Sequence, residues 1–403
     1  MRDIPLSVWR LMLAYAFMMS GTSLNVLIAG IIGVKFAPSA GLATLPVALL
    51  IVGVALATLP TGKFLGRWGR RRVFVAYGLL AVVATLLAAY SLVISSFPTY
   101  CLSALMIGWS AAAGHQYRFA ALEQAPAELA AKATSVLLLG GILAAFIGPE
   151  LAVLGRNLVS TPFAGSYMLL VVAYVMGVIL VSQVPDSIIE EKEHSEAIRS
   201  LSSIVKSPIV LLAICAAAVG YGTMSFLMTA TPISMHEHSG HSLDWTKRVL
   251  QAHIIAMYLP SLFYPSLQSR FGHRNMLLAG VAAFMICVFF ALAGTSVANY
   301  WWALVLLGIG WNFLFLSGTN ILAFGYRSPE RFRVQAMNDF LVFSIQAIVA
   351  LSSGWFLFRF QWNGLLYAVM PLILAFLILA WRSKAYLDIE TEKAARISIR
   401  NTL

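Results

Sequence analysis

Long apolar runs separated by short polar loops dominate the chain, at about residues 10–33, 43–62, 73–96, 99–121, 134–155, 163–184, 208–232, 249–268, 275–296, 300–323, 336–357 and 362–381. Each run approaches the roughly 20 residues that a helix needs to cross the hydrocarbon core of a bilayer. The third and fourth are divided by little more than Ser95, Ser96 and Pro98. The pattern predicts an all-α membrane protein with twelve transmembrane helices. The first run is too long, and too closely followed by others, for a cleaved leader, so it counts as a span. Residues 1–184 then form an N-terminal six-helix half, 185–207 a cytoplasmic linker, 208–382 a C-terminal six-helix half and 383–403 a cytoplasmic tail. The linker carries Glu190, Glu191, Lys192, Glu193, Glu196, Arg199 and Lys206, with room for a short surface helix.

Composition narrows the class. The 403 residues are 60% hydrophobic and 11% charged, against about 25% charged in soluble domains, which excludes an ordinary soluble enzyme. Cys101, Cys215 and Cys287 each sit inside an apolar run, so no disulfide framework is present in the pattern. The net charge of +11 raises a nucleic-acid partner, but the placement of the charges argues against one. With the N-terminus in the cytoplasm, only Lys35, Arg156, Lys247, Arg248 and Arg359 fall away from the cytoplasmic side, leaving 22 of the 27 basic residues there. That bias follows the positive-inside rule. It predicts a multi-pass membrane protein with both termini cytoplasmic. No phosphate-binding loop, Cys-x-x-Cys pair or spaced catalytic triad points to an enzyme.

The two halves echo each other. Gly62-Lys-Phe-Leu-Gly-Arg67-Trp-Gly69-Arg-Arg-Arg72 follows span two, and Pro265-Ser-Leu-Gln-Ser-Arg270-Phe-Gly272-His-Arg274 follows span eight, with the Arg-x-Gly elements 203 residues apart. Ile107-Gly-Trp109 returns as Ile309-Gly-Trp311, and Pro126 as Pro329, at offsets of 202 and 203. The shared offset indicates two pseudo-symmetric copies of a six-helix unit. Such repeats place a central cavity at their interface, where alternating access can work. Gly62, Arg67, Gly69, Arg70, Arg71, Arg270 and Gly272 are the candidate inner-gate residues, with topology anchoring as the plainer role for the arginines.

This arrangement resembles the major facilitator superfamily over nearly the whole chain, and the resemblance implies that superfamily's fold. Its loop signature maps onto Gly62, Leu65, Gly66, Arg67, Gly69, Arg70 and Arg71. Gly66 stands where the signature has aspartate, so the gating salt bridge that the resemblance implies would be altered or absent. The C-terminal copy is further eroded, with Pro265, Gln268 and Ser269 at the matching places.

Titratable residues inside the spans are few, and such residues are functional candidates. His115 and Arg118 lie at the inner end of span four, Glu150 toward the outer end of span five, and Asp339 near the inner end of span eleven. These are the candidates for energy coupling, with helix-to-helix pairing as the structural alternative. Gly148-Pro149 resembles a span-five signature best known among exporters, which keeps solute or drug efflux open.

Met224 and Met228 in span seven are four residues apart, as are His253 and Met257 in span eight, so each pair shares one helical face. Thioether and imidazole donors suit copper(I) better than the oxygen-seeking ions, and neutral thioethers bring no fixed charge into hydrocarbon. Met235, His236, His238 and His241 follow on the outer side as candidate collectors. Fifteen methionines in an apolar chain also pair by chance and fill gaps in packing, and the loop histidines can instead face solvent or cap the next helix.

These pairs resemble the motifs of bacterial copper importers that supply haem-copper oxidase assembly. Gly240-His-Ser242, Met257-Tyr-Leu-Pro-Ser261 and Gln116-Tyr-Arg-Phe-Ala-Ala121 resemble the same subgroup, which also contains riboflavin transporters. The resemblance implies import of copper across a bacterial inner membrane, with copper as transported substrate rather than cofactor, the lipid bilayer as surroundings and a copper chaperone downstream. The alternatives are an organic-solute carrier, with riboflavin as one such cargo and Trp109, Tyr117 and Trp311 lining an aromatic cavity, and a non-transporting scaffold.

Overall fold

The computed structural model describes residues 4–126, 129–186, 199–327, 330–383 and 387. The acidic centre of the linker, Pro329 and most of the C-terminal tail lie outside the described residues. In hydrocarbon every backbone N–H and C=O has to be paired within the protein, and a helix does so locally. The described chain is accordingly helical: α1 (Leu6–Phe36), α2 (Leu45–Trp68), α3 (Arg70–Val93), α4 (Phe97–Ala111), α5 (Tyr117–Glu123), α6 (Ala130–Leu154), α7 (Ala164–Ser182), α8 (Leu201–Val205), α9 (Pro208–Ile233), α10 (Leu243–Tyr258), α11 (Tyr264–Leu292), α12 (Val297–Leu322) and α13 (Arg331–Arg382).

Among the described residues nine helical stretches are individually long and apolar enough to cross a membrane. The remaining crossings are interrupted ones. Span four is α4 and α5 joined by a 3-10 turn over Ala112–Gln116. Span eight is α10, a 3-10 turn over Leu259–Leu262 and the start of α11. Spans eleven and twelve are the two arms of α13, which turns at Gln361 with φ 59° and ψ −174°. The sequence reading of twelve spans therefore holds, in the two-bundle arrangement it implied. Serine caps open α10 and α12, where Ser242 and Ser296 accept from the N–H groups of Trp245 and Asn299.

The duplication is written in the backbone. Gly69 sits between α2 and α3 with φ 79° and ψ 164°. Gly272, inside the α11 rod, has φ 78° and ψ 165°. That region strongly disfavours side-chain-bearing residues, and glycine fills it at both tight connections. The copies differ where the sequence differs. α2 runs unbroken through Pro60, whereas a 3-10 turn over Leu259–Leu262 carries Pro260 and interrupts span eight.

The cytoplasmic connections are fastened within each half. Arg70 is buried and grips Glu123 at the end of α5 through two contacts of 2.5 Å. Asp186, at the start of the linker, accepts from the Arg71 N–H at 3.2 Å and so caps α3. At the linker's other end Arg199 donates to Glu330 at 2.8 and 2.6 Å and to the Gly325 carbonyl at 3.0 Å. Those bonds, with the Arg327 and Arg199 backbone N–H groups, hold the Glu330 carboxyl down at about 2. The halves themselves meet along α1 with α9, α2 with α13 and α6 with α10.

Gly272→Ala and Gly69→Ala each force a side chain into that disfavoured region, and each is expected to lower stability by about 1–3 kcal/mol. Gly62→Ala, inside α2, meets nothing within 4 Å and is expected to raise stability by about 0.5–1 kcal/mol, because glycine weakens a helix interior. Thermal unfolding of the purified protein in detergent measures all three.

Candidate functional site

Between the halves lies a cavity of about 160 Å³. The N-terminal half supplies Met19, Thr22, Ser23 and Val26 from α1, Val47, Leu50 and Ile51 from α2, and Gly141, Ala144 and Ala145 from α6. The C-terminal half supplies Met224, Ser225, Met228 and Thr229 from α9, His253, Ile254, Met257 and Tyr258 from α10, and Gln346 from α13. The lining holds no charged side chain. It is a neutral chamber with apolar walls, a few hydroxyls, one amide, one imidazole and several thioethers.

All four candidate donors of spans seven and eight thus reach one cavity. They do so by a different route from direct packing of adjacent helices. α9 packs mainly on α12 and α13, and α10 on α12 and α6, so the two pairs flank the chamber. α12 comes close enough to α10 because of Gly308, where a Cβ would lie 2.6 Å from the His253 carbonyl.

His253 is fully buried. Its Nδ1 lies 2.7 Å from the Leu304 carbonyl oxygen. A carbonyl only accepts, so Nδ1 carries the proton and neutral imidazole leaves Nε2 with a free lone pair. Nε2 has no hydrogen-bond partner among the described residues. A second neutral relay crosses α13 and α9: Gln346 Nε2 donates to Ser225 Oγ at 2.6 Å, and Ser225 Oγ lies 4.0 Å from the Met224 sulfur. Asn312 of α12 braces the broken part of span eight by donating to the Met257 carbonyl at 2.7 Å and to Ser261 Oγ at 2.6 Å.

Met19, Thr22, Ser23, Ser225, Thr229, Tyr258 and Gln346 were not singled out by the sequence. Thr22, Ser23, Ser225, Thr229 and Gln346 carried one signal, a polar side chain within an apolar span. Met19 and Tyr258 carried none.

The outer loop is arranged differently from the collector that the sequence allowed. Span seven continues through a π-helical turn, Ser234–His238, which turns Met235 into the core with no exposed surface. His236 Nδ1 is 2.8 Å from the His241 carbonyl, and His241 Nε2 is 2.7 Å from the Thr295 carbonyl. His238 lies edge-on to the Phe358 ring. A backbone carbonyl thus meets one ring nitrogen of His236 and one of His241, while Met235 is buried away from the loop surface.

The remaining candidates divide between the two ends. Glu150 accepts from Lys247 Nζ at 2.9 Å and from Gln251 Nε2 at 3.2 Å, joining α6 to α10 near the outer surface. His115 lies tilted against Phe343 of α13, with ring centroids 5.0 Å apart, toward the inner surface. Arg118 and Asp339 are partly buried there. Of the loop residues, Gly62, Arg67, Arg71, Arg270 and Gly272 are exposed, and the buried Arg70 bonds within its own half.

The sequence profile of the Major Facilitator Superfamily matches residues 11–263. The chain is 33% identical over 380 residues to the riboflavin transporter RfnT of Brucella anthropi, covering 93% of this chain and 95% of that one. In fold it is similar to a bacterial homologue of the iron transporter ferroportin, with TM-score 0.62, 16% identity and 94% and 99% of the two chains covered. It is also similar to the human organic anion transporter MFSD10 (TETRAN), with TM-score 0.63, 14% identity and the same coverage.

Asn312→Ala removes both bonds that brace the turn after Tyr258. The expected loss is about 1–3 kcal/mol, read as a lower melting temperature, together with slower transport because Met257 and Tyr258 border the chamber.

Proposed function

The chain belongs to the Major Facilitator Superfamily, a multi-pass transporter of small solutes in the bacterial inner membrane and not an enzyme, and we propose that its cargo is a neutral organic solute of the riboflavin class, carried toward the cytoplasm. The observation that carries this reading is the uncharged lining of the central cavity. Apolar walls suit a planar ring system, and Thr22, Ser23, Ser225, Thr229 and Gln346 offer hydrogen bonds to polar substituents without charge. The Brucella relative, named for riboflavin and aligned over nearly the whole of both chains, supports the same cargo class.

Copper is the second reading, and a separate observation favours it. The thioethers of Met224, Met228 and Met257 and the imidazole of His253 border one cavity, and Met19 adds a further thioether from the other half. Soft, neutral donors of this kind suit copper(I) and hold it weakly enough for release. In this reading copper is the substrate.

Both readings are tested in cells lacking their own uptake system, with initial riboflavin and copper accumulation measured per amount of inserted protein. Riboflavin uptake raised about tenfold over the vector control, with copper unchanged, is the expected result; a tenfold change corresponds to about 1.4 kcal/mol. Copper uptake raised by the intact chain, lost in the His253→Ala, Met257→Ala double variant and accompanied by no riboflavin uptake would transfer the assignment to copper. Uptake of neither overturns both.

A further inference from the structure

Among the described residues, His253 is the one that both borders the central chamber and holds a buried side-chain nitrogen or oxygen with no hydrogen-bond partner. The other such atoms, Trp311 Nε1, Arg118 Nε and Thr223 Oγ1 among them, belong to residues that do not border it. A buried acceptor left unpaired is destabilising. Its place on the wall of a binding chamber points to a partner that the chamber receives.

The sense and the direction of this acceptor are both fixed. Nδ1 is spent on the Leu304 carbonyl of α12 at 2.7 Å, so the ring is the tautomer whose Nε2 accepts and does not donate. The two nitrogens of an imidazole point to nearly opposite sides of the ring, which turns Nε2 away from α12. α10 packs on α12 and, across the boundary between the halves, on α6. The side of His253 away from α12 is therefore the side of that boundary, where the chamber lies. The imidazole is wholly covered. Met257, one turn along on the chamber face, is unbranched and repacks readily, which lets a ring reach the nitrogen.

The α9 wall offers the complementary group. Gln346 Nε2 donates to Ser225 Oγ at 2.6 Å, which uses a lone pair of the serine and leaves its hydroxyl hydrogen. That hydrogen has only the Met224 sulfur beside it, a weak acceptor at 4.0 Å. One wall thus presents a hydroxyl donor and the other a lone acceptor. A solute that satisfies both carries an N–H and a carbonyl on one ring edge, as a lactam or imide does. A bare cation takes the lone pair and has no use for the hydroxyl.

We propose that His253 is the specificity-determining residue of the chamber, with Nε2 accepting a hydrogen bond from a ring N–H of the cargo, so that the solute carried is a lactam or imide. This role rests on the organic-solute reading above and deepens it. Riboflavin qualifies through the imide N–H at N3 of its ring system. A site built to bond an N–H rejects the analogue that lacks it far more strongly than an apolar pocket rejects an added methyl group.

The test uses the full chain in cells lacking their own riboflavin uptake, with initial rates read per inserted protein for riboflavin and for N3-methylriboflavin. The parent is expected to favour riboflavin by at least about tenfold. Two variants separate the acceptor from the brace. In His253→Asn the shorter amide still reaches the Leu304 carbonyl, but no atom stands where Nε2 stood. Riboflavin uptake is expected to fall about tenfold, and the preference over the methylated solute to shrink to within about twofold. In His253→Gln the longer amide places its carbonyl oxygen near the Nε2 position without the bond to Leu304. It is expected to stay within about threefold of the parent and to keep the preference. A histidine that only braces α10 against α12 gives the reverse order, with Asn tolerated and Gln not. The melting temperature of each purified variant reports whether its fold is kept, and where one variant fails to insert, the parent's preference and the other variant decide. Equal uptake of the two solutes by the parent, or an Asn variant as active as the parent, overturns the role of His253 and leaves the riboflavin-class cargo standing. A parent that takes up no riboflavin overturns the cargo reading and this role with it.

Discussion

Hydrocarbon offers no hydrogen-bond partner, so each polar group that this chain carries into the membrane has to find one inside the protein. Most do, and the bonds knit distant helices together. Tyr100 and Tyr167 share a hydroxyl contact of 2.5 Å, Tyr167 donates to Asn25 at 2.9 Å, and Asn25 returns a bond to the Gly21 carbonyl at 2.8 Å. In the other half Ser353 donates to the Phe226 carbonyl at 2.7 Å, and Asn312 spans the break in span eight. Against that background the few buried groups left over carry information. His253 Nε2 and Arg118 Nε are two of them, one beside the cavity and one toward the inner surface.

The same constraint explains what could be read from the sequence. Spans are long apolar runs because nothing else is tolerated there, and the Met224/Met228 and His253/Met257 pairs were legible because helical periodicity fixes neighbours four residues apart. Span eight was harder to delimit. Its apolar run starts after Arg248, yet the helix begins at Leu243, because Ser242 caps it and Glu150 from α6 pairs with the Lys247 that interrupts the hydropathy. That partner is 97 residues away, and no local pattern announces it. Met19 was illegible for the same reason, since it reaches the cavity only through the packing of one half on the other. The loop histidines are compact in sequence, and what their spacing did not give is the π-helical turn that buries Met235 and the backbone carbonyls that meet one ring nitrogen each of His236 and His241.

The cavity itself explains why a shared scaffold can serve unlike cargo. Thioethers are apolar enough to line a greasy slot for a ring system, and they remain donors for a soft ion. What decides between these uses is the remainder of the wall. Ser225, Gln346, Thr22 and Ser23 are neutral hydrogen-bonding groups, which a bare ion uses poorly and a polyhydroxylated or amide-bearing solute uses well. The absence of charge from the lining keeps a neutral solute free of the desolvation penalty that an unpaired buried charge would impose.

Duplication gave the two halves one backbone and left their chemistry free to diverge. Gly69 and Gly272 keep nearly identical dihedral angles, and the helix pairs that meet across the interface still follow the repeat. The side chains have separated in role. The N-terminal wall is built mainly from small and aliphatic residues, and the C-terminal wall carries the imidazole, the amide and most of the sulfur. Charge has separated as well: Glu150 of the N-terminal half is joined to Lys247 of the C-terminal half at the outer end, while the chamber between the halves is lined by neutral groups.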